Sequence, residues 1–466
     1  MVRKLRSFIL PWFAACVSGI GWAQVQLAVR LPNAPSVSHI LLASAQVGAV
    51  RAASSSGGPV LLTRQQAETI ALANNPRIHI GQLLAKVQHQ VVRETRSSEL
   101  PDLSGNLTAV EAEEGSRISA GGLTASRLLE HAGMGVQLSQ LITDFGHSQN
   151  LVASAKLNEK ARLADAEASR EDIILATDQV FYQAIESEAT LKVAEQTVSA
   201  RQTLVDQVSA LTSAKLKSDL DLSFAQVNLS QAKLLQLDAQ NNLDAAKAAL
   251  DAVLGYDRPT NYRLAGGSDA LAALPPDVGT LVASAIQNRP DLQSLQWSEQ
   301  AARKYSRAQH EQLLPTISAL GAVGKTPVGS SQYFPTNWYG AVGVNMSVPI
   351  FNGFRYTAEA SQASLEAKTA SERTRDLRDQ VVRDVRTAWL NANTALQRVT
   401  VTGELLRQAN LALNLAQTRY QLGLSSIVEL SQAELQQTQA AISDANARSQ
   451  YGFAMADVRF QTGVQP

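Results

Sequence analysis

The sequence predicts a mainly α-helical fold with a small β-barrel contribution, in which one unit of helix, strand, strand and long helical hairpin is written twice. Three observations carry this. The 108 residues from His147 to Leu254 contain no glycine and no proline, and at about 1.5 Å per residue even half of such a run makes a rod of roughly 80 Å. A short alternating run, Val136 to Ile142, enters that rod through the turn Asp144-Phe145-Gly146. Landmarks of the first half then recur in the second, in the same order.

Composition narrows the class before any element is placed. The chain has 466 residues, 45% hydrophobic but only 5% aromatic, which favours long packed helices over a large aromatic core. Its 41 basic and 41 acidic residues balance, and no block of Lys or Arg forms a polyanion stripe, so nucleic acid is not an expected partner. Residues 1–23 read as a secretory signal: Arg3, Lys4 and Arg6 lead an apolar run from Phe8 to Ile20, and Gly21-Trp22-Ala23 offers a cut after Ala23. Cleavage there removes three basic residues and the single cysteine, Cys16, leaving a slightly acidic chain without disulfides. Phe13-Ala14-Ala15-Cys16 is an alternative, lipoprotein-type site, with a short apolar run before it. No later stretch has 18 unbroken apolar residues, so entry into a membrane has to be by strands.

Residues 24–60 show little periodicity and read as a disordered leader ending at Ser54-Ser-Ser-Gly-Gly-Pro59. The first repeat spans 61–254. Its opening helix, from Thr63, runs through Asn75-Pro76 to Leu100-Pro101, and Arg289-Pro290 and Leu314-Pro315 reproduce both prolines 214 residues later. Short strands follow, Leu103 to Glu111 and Ile317 to Lys325, then polar loops containing glycine, then Val136 to Ile142 and Ala341 to Ile350. Asp144-Phe145-Gly146 and Phe351-Asn352-Gly353 close these strands at an offset of 207, which implies a loop seven residues shorter in the second copy.

The rods are heptad-like: Leu191, Ala194, Val198, Val205 and Val208 fall at spacings of 3, 4, 7 and 3. Each rod reverses midway, near Thr212 to Ser218 and near Gln421 to Ser426. A linker, 255–279, rich in proline and glycine, joins the first repeat to the second, 280–466.

Strands of about nine residues suit a tilted crossing of a bilayer. Four per chain cannot close a membrane barrel, so the chain has to oligomerise, with dimers and trimers both satisfying closure. Ser104, Asn106, Gln137, Ser139, Asn345 and Ser347 are expected to face the water inside, on strands that alternate only imperfectly. A small soluble sheet capping a coiled coil is the plainer alternative.

The doubled layout, Leu-Pro before each first strand, Pro349-Ile-Phe-Asn-Gly353 opening a long helix, and Arg419-Tyr420-Gln-Leu-Gly423-Leu-Ser-Ser-Ile-Val-Glu429-Leu at the second reversal together resemble the TolC-type outer membrane factor family over roughly residues 61–463. The resemblance implies a homotrimer: a 12-stranded barrel in the outer membrane continued by a 12-helix tunnel into the periplasm. It also implies partners, a periplasmic adaptor (membrane fusion) protein and an inner membrane pump, and a role as the passive exit duct of a tripartite efflux pump or a type I secretion system.

Carried over residue by residue, the resemblance sets Glu429 in a carboxylate ring at the periplasmic mouth. Gln432 stands where a second acid is often found, and Asp221 occupies the equivalent place in the first copy. Ser426-Ile-Val-Glu429 and Ser218-Asp-Leu-Asp221 also read as capping boxes, so both acids have a purely helical explanation as well. Tyr420 takes the place of a tyrosine that links neighbouring hairpins, or else packs a helix end. The basic residue expected five positions on is Ser425, and Lys217 of the first tip is the available substitute. Leu422, Gly423 and Leu424 resemble an adaptor-docking tip, with Leu216 the counterpart of Leu424 on a first tip that lacks glycine. Asp144, Gly146, Asn352 and Gly353 mark the strand-to-helix turns.

Signals for chemistry fail on their context. Gly324-Lys325-Thr326 lacks the upstream glycine of a phosphate loop and is followed by Pro327. Asp144-Phe145-Gly146 lacks kinase surroundings. The six histidines lack metal spacing, so no cofactor or enzymatic activity is expected. The rival functional class is an exported coiled-coil scaffold or adaptor without a pore, which has no use for the paired strands.

Overall fold

The computed structural model describes residues 60–110, 117–120, 123–127, 131–258, 260, 262–265, 273–325 and 338–463. The expected signal segment 1–23, the leader up to residue 59 and Glu111 lie outside them. In the first copy β1 (Val60–Leu62) leads into α1 (Arg64–Asn74) and α2 (Pro76–Ser97), then β2 (Asp102–Val110), β3 (Arg117–Ala120), β4 (Leu123–Arg127) and β5 (His131–Thr143). The long hairpin is α3 (His147–Ser213) and α4 (Asp219–Leu254). After β6 (Tyr262–Leu264) the second copy gives α5 (Val278–Asn288), α6 (Pro290–Glu311), β7 (Thr316–Lys325), β8 (Trp338–Ser347), α7 (Arg355–Gln421) and α8 (Ile427–Thr462). Corresponding helices have identical lengths of 11, 22, 67 and 36 residues.

Local chemistry sets the ends of these helices. Thr63 forms a capping box with Gln66, and Asn75 caps α2 ahead of Pro76, whose missing N–H costs nothing at a first helical position. Asp277 accepts from Gly279 and Thr280 to start α5. Gly255 and Gly463 end α4 and α8 with φ of 76° and 65°, in the left-handed region.

Three sequence expectations need correction. The leader does not run to residue 60: Val60 opens β1, which pairs in parallel with β6, so the 255–279 linker carries a strand that closes back on the start of the fold. The last strand ends at Ser347 rather than Ile350, because Pro349 has no N–H to give a ladder. The second copy is also shorter by six residues between its strands, not seven. The left-handed pair at the first turn is Phe145 and Gly146, and at the second Gly353 and Phe354, an offset of 208 that the helix starts His147 and Arg355 share. Gly146 therefore corresponds to Phe354, and Asp144 to Asn352.

The four long strands form one antiparallel sheet in the order β2-β5-β7-β8. Its register puts Ser104 opposite Gln137 and Gln137 opposite Ala322, with Ser139 opposite Leu320, Asn345 opposite Ser318 and Ser347 opposite Thr316. Since faces alternate with period two, Ser104, Asn106, Gln137, Ser139, Asn345 and Ser347 share one face. The opposite face carries Leu103, Leu107, Met134, Val136, Leu138, Val323, Val342, Val344 and Met346, all exposed.

Below the sheet the helices stand in rows. α2 packs on α3, α3 on α6 and α6 on α7; farther along, α4 packs on α3, α3 on α8 and α8 on α7. Between the two rows α1 lies against α3 over a core that includes Ala67, Ala71, Phe181, Ala184, Leu250 and Leu254, and α5 lies against α7 over Ala285, Val381 and Val385. Close approach there needs one glycine in particular: a Cβ on Gly452 of α8 would lie 2.3 Å from Tyr182 Cε1. Gly452→Ala is expected to destabilise the fold by about 1–3 kcal/mol, overpacking outweighing the gain in helix propensity. Thermal unfolding checks this, and a stabilised variant would mean that Tyr182 yields freely.

Candidate functional site

The two hairpin tips collect most of the residues that the sequence singles out. Both reversals are Schellman motifs. At the first, Lys215 N–H donates to Thr212 O (2.9 Å) and Leu216 N–H to Leu211 O (2.9 Å); at the second, Gly423 N–H donates to Tyr420 O (3.1 Å) and Leu424 N–H to Arg419 O (2.8 Å). The motif needs a left-handed residue, which Gly423 supplies freely at φ 71° and Lys215 supplies at φ 57° despite its side chain. The missing glycine of the first tip thus leaves its geometry intact. Leu216, Leu422 and Leu424 stand about two-thirds exposed, as does Leu220 beside them, and Val428 is more than half exposed. They make an apolar knob at the end of the molecule.

Behind the knob the tips are joined. Tyr420 is buried in a cluster with Leu204, Val208, Ala416, Ile427, Leu430 and Ala433, so α3, α7 and α8 share one apolar core. Lys217 Nζ of the first tip lies 4.2 Å from the centre of the Tyr420 ring, a cation–π contact across the two hairpins. Burial, and secondarily the Asp221 charge, push the Tyr420 hydroxyl above its ordinary range. Among the described residues, its Oη and the Oγ of Ser425, both buried, have no hydrogen-bond partner. The structure therefore brings Tyr420, Lys217, Asp221 and Ser425 to one place.

The two carboxylates differ. Asp221 completes its capping box: its N–H donates to Ser218 Oγ (3.2 Å) and its carboxylate accepts from Ser218 N–H (3.4 Å). Glu429 does only half of this, which corrects the second capping box. Its N–H donates to Ser426 Oγ (3.4 Å), while its carboxylate turns across the reversal to Arg419 Nε at 3.2 Å. A longer side chain and an Arg left at the end of α7 decide the difference. Gln432, one turn on, is exposed. The strand-to-helix turns also diverge: Asp144 is buried and accepts from Gly146 and Ser148 N–H (3.3 and 2.7 Å), whereas around Asn352 and Gly353 the aromatic pair Phe351 and Phe354 packs edge to face at 5.5 Å.

Sequence reasoning missed the polar residues between the hairpins. Arg201 of α3 and Glu434 of α8 form a buried ion pair. Nearby, Thr197 meets Thr438 and Asn228 donates to Ser431 Oγ (2.7 Å). The signal was present as the seven-residue gap between Val198 and Val205, since Arg201 fills the skipped heptad position. Among the described residues no group of His, Cys, Asp and Glu is arranged to hold a metal ion, and no helix is long and apolar enough to cross a membrane.

Comparison with known proteins matches this layout. The family model described as outer membrane efflux protein covers residues 69–256 and 281–464. The outer membrane protein TolC of Salmonella enteritidis is 22% identical over 419 residues, 86% of this chain and 83% of that protein. The solvent efflux pump outer membrane protein SrpC of Pseudomonas putida is 24% identical over 370 residues, 78% of this chain and 77% of that protein. Among solved structures, the CmeC outer membrane channel of Campylobacter jejuni superposes with a TM-score of 0.74 at 17% identity, covering 86% of this chain and 85% of that one.

Proposed function

This chain belongs to the outer membrane efflux protein family, and on that premise we propose that three copies form a passive duct across the outer membrane and into the periplasm. The observation that carries the reading is the sheet. One face is apolar and uncovered, the other polar, and β2 and β8 are left as open edges. An open edge in lipid strands backbone donors and acceptors, so β8 of one copy pairs with β2 of the next until twelve strands close around the polar face. The helical rows follow the same order, with α7 as the free edge on one side and α2 and α4 on the other. Lateral closure sets α7 against both in the neighbouring copy and makes a twelve-helix tunnel.

In this assembly the tips form the periplasmic mouth. Leu216, Leu422 and Leu424, with Gly423 shaping the turn between them, meet a periplasmic adaptor, which couples the duct to an inner membrane pump. The tripartite efflux pump and the type I secretion system are the two settings the reading covers. The duct itself supplies no energy. Tyr420 with Lys217 holds the two hairpins of a protomer together at the mouth, with Ser425 beside them, and Glu429 sets a ring of three carboxylates there, each partly offset by its own Arg419. Gln432 adds polarity without charge, and Asp221 serves mainly as a cap.

The test is incorporation of the refolded protein into planar bilayers. Conductance is expected, with a preference for cations that falls roughly twofold in Glu429→Gln as the fixed charge at the constriction is lost. A protein that never conducts and stays soluble in the periplasm is a scaffold instead. Unchanged selectivity with a lowered unfolding temperature would reduce Glu429 to a partner of Arg419.

A further inference from the structure

The two strand-to-helix turns share one backbone contact and differ in one functional group. His147 N–H donates to Asp144 O and Arg355 N–H to Asn352 O, each at 3.4 Å, so Asp144 and Asn352 hold the same place ahead of their helices. At the first turn the Asp144 carboxylate accepts from Gly146 and Ser148 N–H and closes the start of α3. At the second the start of α7 has no side-chain cap, although this helix is as long as α3, at 67 residues. An amide stands there where the first copy has an acid.

Asn352-Gly353 is also the one Asn-Gly step in the chain. A glycine after asparagine leaves its backbone nitrogen unshielded, since no Cβ stands beside it. That nitrogen can attack the asparagine Cγ and close a five-membered cyclic imide. Gly353 is exposed at φ 66°, with nothing beyond its chain neighbours within 4 Å of where a Cβ would lie, and Asn352 is partly exposed. Among the described residues neither the Gly353 N–H nor the Asn352 side chain has a hydrogen-bond partner, so no contact has to break before the ring closes. Asn345 differs in its surroundings: it lies within β8, paired with Ser318, and is followed by Met346.

We propose that Asn352 is a self-modifying residue, whose side-chain amide is hydrolysed in place through the imide and leaves at the head of α7 the carboxylate that Asp144 supplies to α3. The Gly353 nitrogen loses its proton and bonds to Cγ, and the side-chain nitrogen departs with that proton as ammonia. Water then adds to one carbonyl of the ring, the bond from that carbonyl to the Gly353 nitrogen breaks, and the nitrogen takes a proton back. Opening at Cγ gives aspartate, opening at the backbone carbonyl gives isoaspartate, and either leaves one carboxylate at the turn. Water is consumed, ammonia is released, and nothing is oxidised or reduced. A negative charge ahead of a helix N-terminus is favourable, so the product suits this turn better than the amide.

Tryptic mapping of the full chain, kept folded, tests this, because one peptide, Thr326 to Arg355, carries both Asn345 and Asn352. The amide-to-acid mass gain is expected at Asn352 at least about tenfold faster than at Asn345, and about tenfold faster for each unit of rising pH as the attacking amide deprotonates. Equal gains at the two positions, or a gain at Asn352 seen only after unfolding in urea, overturn the proposal. Asn352→Asp carries the product from the start. Its unfolding temperature is expected to lie about 1–3 °C above that of freshly prepared wild type. A value at or below that of the wild type overturns the role of the carboxylate at α7.

Discussion

Glu434→Leu and Arg201→Met, each alone, are expected to destabilise the protein by about 3–5 kcal/mol, while the double variant recovers most of that loss. Arg201 and Glu434 are both buried, and they occupy heptad positions on facing helices. Removing one partner leaves the other charge in an apolar seam, flanked by Leu204 and Leu430. Removing both restores an apolar contact of similar volume, and the cost of a buried charge disappears. Denaturant unfolding of the two single variants and the double measures the coupling. Single losses below about 1 kcal/mol would show that the pair is solvated in solution.

The stability of the collar between the helical rows is expected to depend on pH through Glu68. Burial, then hydrogen bonding with Asp178 and its charge, raise the Glu68 carboxyl from 4.5 to about 7 against the opposing pull of Arg64 and Arg459. Arg64 pairs with Glu68 and reaches Asp178 Oδ2 at 3.3 Å, so two carboxyls and one guanidinium tie α1 to α3. A carboxyl whose folded value lies above its unfolded value binds a proton more tightly when folded. Its contribution is complete below about pH 4.5 and is lost as the pH climbs to about 7. The size is on the order of 3 kcal/mol, from about 1.4 kcal/mol for each unit. Glu68→Gln mimics the protonated form and should remove this dependence, so that the wild type falls behind the variant as the pH passes from 5 to 7.5. Parallel melting profiles across that range would refute the raised Glu68 carboxyl.

How far the tips were legible in the sequence depends on the kind of residue. Asp221 behaves as its capping motif predicts, because a cap is satisfied within four residues of chain. Glu429 belongs to the same motif by pattern, yet its carboxylate goes to Arg419, a competitor that sequence spacing places on another helix. Lys217 was the expected substitute for the base missing at Ser425, and it does reach Tyr420. That contact crosses from one hairpin to the other, so no local pattern measures it.

The elements and their doubling follow from local rules along the chain. A run without glycine or proline, prolines at helix starts, and alternation in short strands act over a few residues, and these local rules fix helix lengths that agree copy for copy. The offset of the strand-to-helix turns escaped by one residue, because Gly146 and Gly353 look equivalent while the backbone puts its left-handed pair one position apart. Which polar residues go inside is set by packing between distant helices. Glu434 reads as an ordinary solvated position and Arg201 as a gap in the heptads until α3 and α8 face one another, and Gly452 is one more helix glycine until the ring of Tyr182 fills the space where its side chain would be. In each case the energy lies in a contact between segments far apart along the chain, and the identity of a residue does not carry the identity of its neighbour.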